Sequence, residues 1–154
     1  SNPIHCHNQS AEKAEKWILM NQNSKKIMEL RIARHTDNLN KIKEFYTEII
    51  GLKVLFSFEN HNGYNGVFLG KEGTTWHLEF TSSKDKANHK FDDEDLLVFY
   101  PREQTDYDEI IGRIETCNIQ QFKPKNPFWV DNGVLIHDPD GYGVIVSSLK
   151  VGLD

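Results

Sequence analysis

Apolar positions in this chain change their spacing from two, to three and four, and back to two, and they do so twice between residues 29 and 150. Leu30–His35 is a strand-like run. Leu39, Ile42, Phe45, Tyr46, Ile49 and Ile50 then recur on one stripe, the mark of a helix lying on a sheet. Asn38 is placed to accept a first-turn amide, and Gly51 suits the left-handed position that ends a helix. Three strands follow at 53–58, 66–69 and 75–81, with a glycine- and asparagine-rich turn at 61–66 of the kind that closes hairpins. After a polar linker at 82–94 the order repeats. A strand at 96–100 leads to a helix at 104–116 with Tyr107, Ile110, Ile111 and Ile114 inward, then to strands near 119–123, 132–137 and 143–149. Asp138-Pro139-Asp140-Gly141 is a strong turn, because Pro presets φ and Gly accepts a positive one.

The two copies also match in residues. With a gap of one residue, Asn65-Gly66-Val67 falls on Asn132-Gly133-Val134 and Thr81-Ser82 falls on Ser147-Ser148. A repeat of this kind implies supersecondary units that cannot bury their apolar faces alone. The expected architecture is therefore α+β: one domain over 29–150, made of two βαβββ modules at about 29–82 and 95–148. The chain of 154 residues has room for one such domain. Residues 1–28 lie outside the repeat and read as a leader. In it Ala11, Ala14, Trp17 and Ile18 have helical spacing, Ser1-Asn2 looks like a tag remnant, and Met20 and Met28 are both plausible natural starts. His5-Cys6-His7 invites a metal reading, but adjacent residues in a leader rarely close a coordination shell.

Charge and cysteine content narrow the partner. A net charge of -5 argues against nucleic acid, whose binding releases counterions from a basic surface. Cys6 and Cys117 are far apart without metal-type spacing, which fits a reducing cytoplasm. No apolar run approaches the ~18 residues that a membrane span needs. A small molecule is the expected partner. No phosphate-cradling glycine loop, strained nucleophile turn or glycosidase-type carboxylate pair is found.

Two motifs sharpen the duplicated pattern: Asp37-Asn38-Leu39 followed by Phe45-Tyr46-Thr47-Glu48-Ile49-Ile50-Gly51-Leu52, and Asp138-Pro139-Asp140-Gly141-Tyr142 before the last strand. Over about 29–150 the chain resembles the vicinal oxygen chelate superfamily, the glyoxalase, bleomycin-resistance and extradiol-dioxygenase group. The resemblance implies two modules paired around a cleft, within one chain or across a homodimer. It also implies, in the metal-using members, a divalent cation held by the first and last strand of each module. Those positions fall on Arg31 and Glu79, and in the second copy on Leu96 and Ile145. Only Glu79 among them is a ligand type; arginine has no lone pair to offer, and leucine and isoleucine have no donor.

His77 shares strand parity with Glu79, and His35 shares it with Arg31; the resemblance implies that the first and fourth strands are neighbours, so that Arg31 and Glu79 share a face. Tyr64 and Trp129 are loop-side aromatics that could wall a cleft. Each also has a plainer explanation: polar lining of an open sheet for His77 and Glu79, a solvated strand end for His35, core packing or loop anchoring for the aromatics. The expected function is small-molecule binding on this fold with a degenerate metal site and no cofactor, as in bleomycin-type resistance proteins. The rival is a metal-dependent glyoxalase-like lyase, isomerase or dioxygenase drawing on His35, His77 and Glu79. No catalytic residue can be assigned.

Overall fold

A computed structural model describes residues 12–14, 16 and 28–152. The His5-Cys6-His7 motif, the natural start at Met20 and most of the leader helix lie outside the described residues, although 12–14 and 16 are helical. The chain forms two compact units, one comprising the chain through Thr47 together with Leu52–Ala87, the other Glu48–Gly51 with the chain from Asn88 onward.

The first unit holds β1 (Leu30–His35), α1 (Leu39–Glu44), β2 (Lys53–His61), β3 (Tyr64–Gly70) and β4 (Trp76–Ser82). Its four strands lie in the order β1-β4-β3-β2, with β1 parallel to β4 and the other pairs antiparallel. The second unit holds β5 (Leu96–Phe99), α2 (Gln104–Thr116), β6 (Gln121–Phe122), α3 (Pro127–Asn132), β7 (Gly133–His137) and β8 (Gly143–Ser147). Its strand order, β5-β8-β7-β6, repeats that of the first unit. The chain is thus α+β with two βαβββ modules of one sheet topology, as the repeat implied, the second with the short helix α3 added before β7.

The first helix departs from expectation in two ways. Asn38 makes no side-chain cap; instead its own amide donates to Thr36 Oγ1 at 3.0 Å. The α-helical turns also end at Glu44, and Phe45–Ile49 is wound as a π-helix. That wider winding is closed by Leu52 N–H donating to Tyr46 O at 2.9 Å, with Gly51 at φ +90° as expected of the terminal glycine. Ile42 and Tyr46 are fully buried, and the Tyr46 ring stacks on Phe80 of β4 with centroids 5.2 Å apart.

The β2–β3 hairpin turns at Asn62 and Gly63, both with positive φ (51° and 84°), which is the I′ geometry that matches strand twist. Strands β6 and β8 are shorter than the expected 119–123 and 143–149. Of the two aromatics expected beside loops, Tyr64 opens β3 and Trp129 sits on α3, next to Phe128. Pro127 opens that helix, and Asn126 Oδ1 accepts Phe128 N–H at 3.0 Å, a pairing for which Asn followed by Pro was the readable signal.

Candidate functional site

Alternation along β1, β3 and β4 divides the first sheet into two faces. Leu78 and Phe80 of β4, with Val67 and Leu69 of β3, turn to the helix side and are buried. The opposite face carries Arg31 and His35 on β1, His77 and Glu79 on β4, and Phe68 on β3. Register makes these neighbours: Arg31 pairs with His77, and Glu79 pairs with Ala33 on one side and Phe68 on the other.

Arg31 is the hub. Its Nε–H donates to His77 Nε2 at 3.0 Å, its Nη1 lies 3.4 Å from Glu79 Oε2, and its guanidinium carbon sits 4.5 Å from the centre of the Phe68 ring. For Nε2 to accept, His77 must carry its proton on Nδ1. Burial, and then the Arg31 charge, hold the His77 pKa below its ordinary 6.5, so the neutral ring that the hydrogen bond requires is also the favoured one. Glu79 moves the other way. Burial raises its pKa above the ordinary 4.5, and Arg31 only partly opposes this. The Glu79 side chain is 16% exposed and that of Arg31 33%, which leaves the cation as the wetter end of the pair.

His35 and Tyr64 belong to a different part of the sheet. His35 Nε2 is 3.1 Å from Ser83 Oγ, and its ring centre is 6.4 Å from that of Tyr64. Four residues along a strand separate His35 from Arg31 by ~13 Å, so the structure brings together Arg31, His77 and Glu79 but not His35 with them. Phe68 was missed in the sequence. Its signal was parity: it alternates with Gly66 and Gly70, whose missing side chains make room for the Phe58 ring and for Leu55 and His77.

The second unit has the equivalent face. Val98 pairs with Ile145 as Ala33 does with Glu79, and Leu135 pairs with Ile145 as Phe68 does with Glu79. Register therefore places Leu96 where Arg31 stands and Ile145 where Glu79 stands. Trp129 lies on this apolar face: a Cβ built on Gly133 would be 2.7 Å from Ile145 Cγ2 and 3.5 Å from Trp129 Cε3, and Tyr100 is 6.4 Å from Trp129, ring to ring. Trp129 is thus a wall of the second unit. An open groove of about 550 Å³ beside the start of α1, bordered by Lys41, Lys43, Ser57 and Asn65, includes none of the expected site residues. Leu39, Phe58 and Val67 also border it, but its lining is mostly polar, unlike the mostly apolar lining of a ligand site.

Family models of the YycE-like N-terminal domain and YycE-like C-terminal domain match residues 30–81 and 94–148. The YycE protein of Bacillus subtilis (strain 168) is 36% identical over 123 residues, which cover 79% of this chain and 88% of that protein. The chain belongs to the YycE-like family. Its two family domains coincide with the two modules read from the repeat. The crystal structure of a YycE protein from Bacillus subtilis aligns with a TM-score of 0.71 at 35% identity, covering 81% of this chain and 93% of that one. Glyoxalase I of Leishmania major aligns with a TM-score of 0.61 at 21% identity over 79% of this chain and 86% of its own; this likeness shows the fold. These neighbours place the YycE-like chain in the vicinal oxygen chelate superfamily. Among the described residues no helix is long and apolar enough to cross a membrane.

Proposed function

We propose that this YycE-like protein binds a small molecule on the face that carries Arg31, and that a side-chain anchor stands where metal-using relatives of the superfamily hold a cation. The observation that carries the reading is the placement of the guanidinium: it donates a hydrogen bond to His77 Nε2 and forms an ion pair with the Glu79 carboxylate, the two groups a divalent ion would need. A metal would have to displace a fixed positive charge from both. The equivalent positions of the second unit hold Leu96 and Ile145, which have no donor of their own. The donor set does not fit a resident cation.

A metal-dependent lyase, isomerase or dioxygenase is the second reading, and one observation favours it: His77 and Glu79 share a face and could ligate together if Arg31 swung aside. Elemental analysis of the full chain purified without chelator separates the two. Under the proposal Zn, Ni, Fe and Mn are each far below one per chain, and added metal leaves the melting temperature unchanged. Near-stoichiometric metal lost on Glu79→Gln would overturn it.

A further inference from the structure

Arg31 is held in an unusual way for a cation that already has a counter-ion. The guanidinium has five N–H donors. Among the described residues its contacts are one from Nε to His77, one through Nη1 to Glu79, and the flat contact with the Phe68 ring. Three N–H groups and one face of the guanidinium plane remain for another partner, and a third of the side chain is open to solvent. The arginine is also prearranged. His77 is 5% exposed and Phe68 2% exposed, so both supports belong to the packed sheet and little rotamer freedom is left to lose on binding.

We propose that the ligand is a planar aromatic or conjugated monocarboxylate and that Arg31 determines this specificity; the inference rests on reading this sheet face as the ligand site. A planar fork of N–H groups matches a carboxylate with two parallel bonds. The apolar part of the ligand has a surface to meet: Phe56 and Phe58, both half-buried, have ring centres 5.6 and 6.3 Å from that of Phe68. The Glu79 carboxylate sets the charge that is tolerated. It stands on the same guanidinium, so a dianionic phosphate or phosphonate meets twice the repulsion that a monocarboxylate does. Glu79 also competes with the ligand for Arg31, which gives the proposal an uncommon signature: removing this acidic residue should strengthen binding.

The test uses the full chain and a matched pair of probes, 2-naphthoate and its neutral amide 2-naphthamide, titrated by NMR. Wild type is expected to bind the acid at least tenfold more tightly than the amide. Arg31→Lys, which keeps the charge and loses the planar fork, should reduce that preference, and Arg31→Met, which loses both, should abolish it. Glu79→Gln should raise affinity for the acid several-fold and not that for the amide. The acid-to-amide ratio needs no variant, so a poorly folded mutant does not remove the test. Equal affinity for the two probes overturns the carboxylate inference while leaving small-molecule binding standing. Weaker naphthoate binding in Glu79→Gln, or no binding of either probe at millimolar concentration, overturns it as well.

Discussion

Replacing Arg31 by Met keeps most of the side-chain stem over Phe68 and removes the charge. The 3.4 Å separation from Glu79 corresponds to a gross attraction on the order of 5 kcal/mol at an effective dielectric of about 20. Two effects reduce it. A third of the arginine side chain stands in water, where screening weakens the pair. Burial of Glu79 outweighs the help it receives from Arg31, since its pKa is raised and not lowered. The pair as a whole should therefore be worth only about 1 kcal/mol against an uncharged replacement. Removing Arg31 alone is costlier. It leaves a half-buried carboxylate without its counter-charge and takes away the donor to His77 Nε2, for about 2–3 kcal/mol together. Glu79→Gln alone, which relieves the desolvation, should cost less than about 1 kcal/mol. A double-mutant cycle by urea denaturation at pH 7, with Arg31→Met, Glu79→Gln and the double variant, should give a coupling of about 1–2 kcal/mol. Coupling below about 0.5 kcal/mol, the usual error of additivity, would refute a functional ion pair. So would a Glu79→Gln cost larger than that of Arg31→Met.

Two further outcomes follow from the geometry. Because the His77 pKa is lowered in the fold, the unfolded chain binds more protons below the ordinary 6.5; the neutral ring's stability contribution is present above that pH and is lost as pH falls through the window beneath it. Urea midpoints at pH 7.5 and 5.5 should show wild type losing ground to His77→Gln on acidification, and a pH-independent difference would contradict the assigned cause. Gly133→Ala would press a methyl group against the fully buried Ile145 and should cost about 1–3 kcal/mol, read as a lower midpoint with an unchanged slope; a neutral result would mean that the Ile145 side chain yields easily.

The duplication was legible because strand and helix periods, hairpin glycines and the Asp138 turn are local signals, and a sheet of repeated order must bury its faces the same way twice. That Glu79 lies in the last strand of the first module was legible for the same reason. What stands beside it was only partly so. Strand parity put His77 with Glu79 and His35 with Arg31, but the parallel pairing of β1 with β4 decides that residue 31 meets residue 77, and that contact is separated by 46 positions in the chain. Parity also could not show that Phe68 would become the platform under the guanidinium, or that His35 would turn to Ser83.

Local rules erred where packing prevailed. Asn38 is a sound helix cap by composition, yet its backbone is tied to Thr36 and its side chain is not used. The helix after Glu44 widens into a π-turn while it keeps the apolar stripe on the sheet, and no period in the sequence distinguishes that winding from an α-helix. Periodicity thus determined which faces are apolar and which elements repeat, because those depend on neighbours a few residues away. Tertiary structure alone decided the hydrogen-bond partners of Arg31 and the protonation preferences of His77 and Glu79, because burial and charge proximity are properties of residues brought together across the sheet.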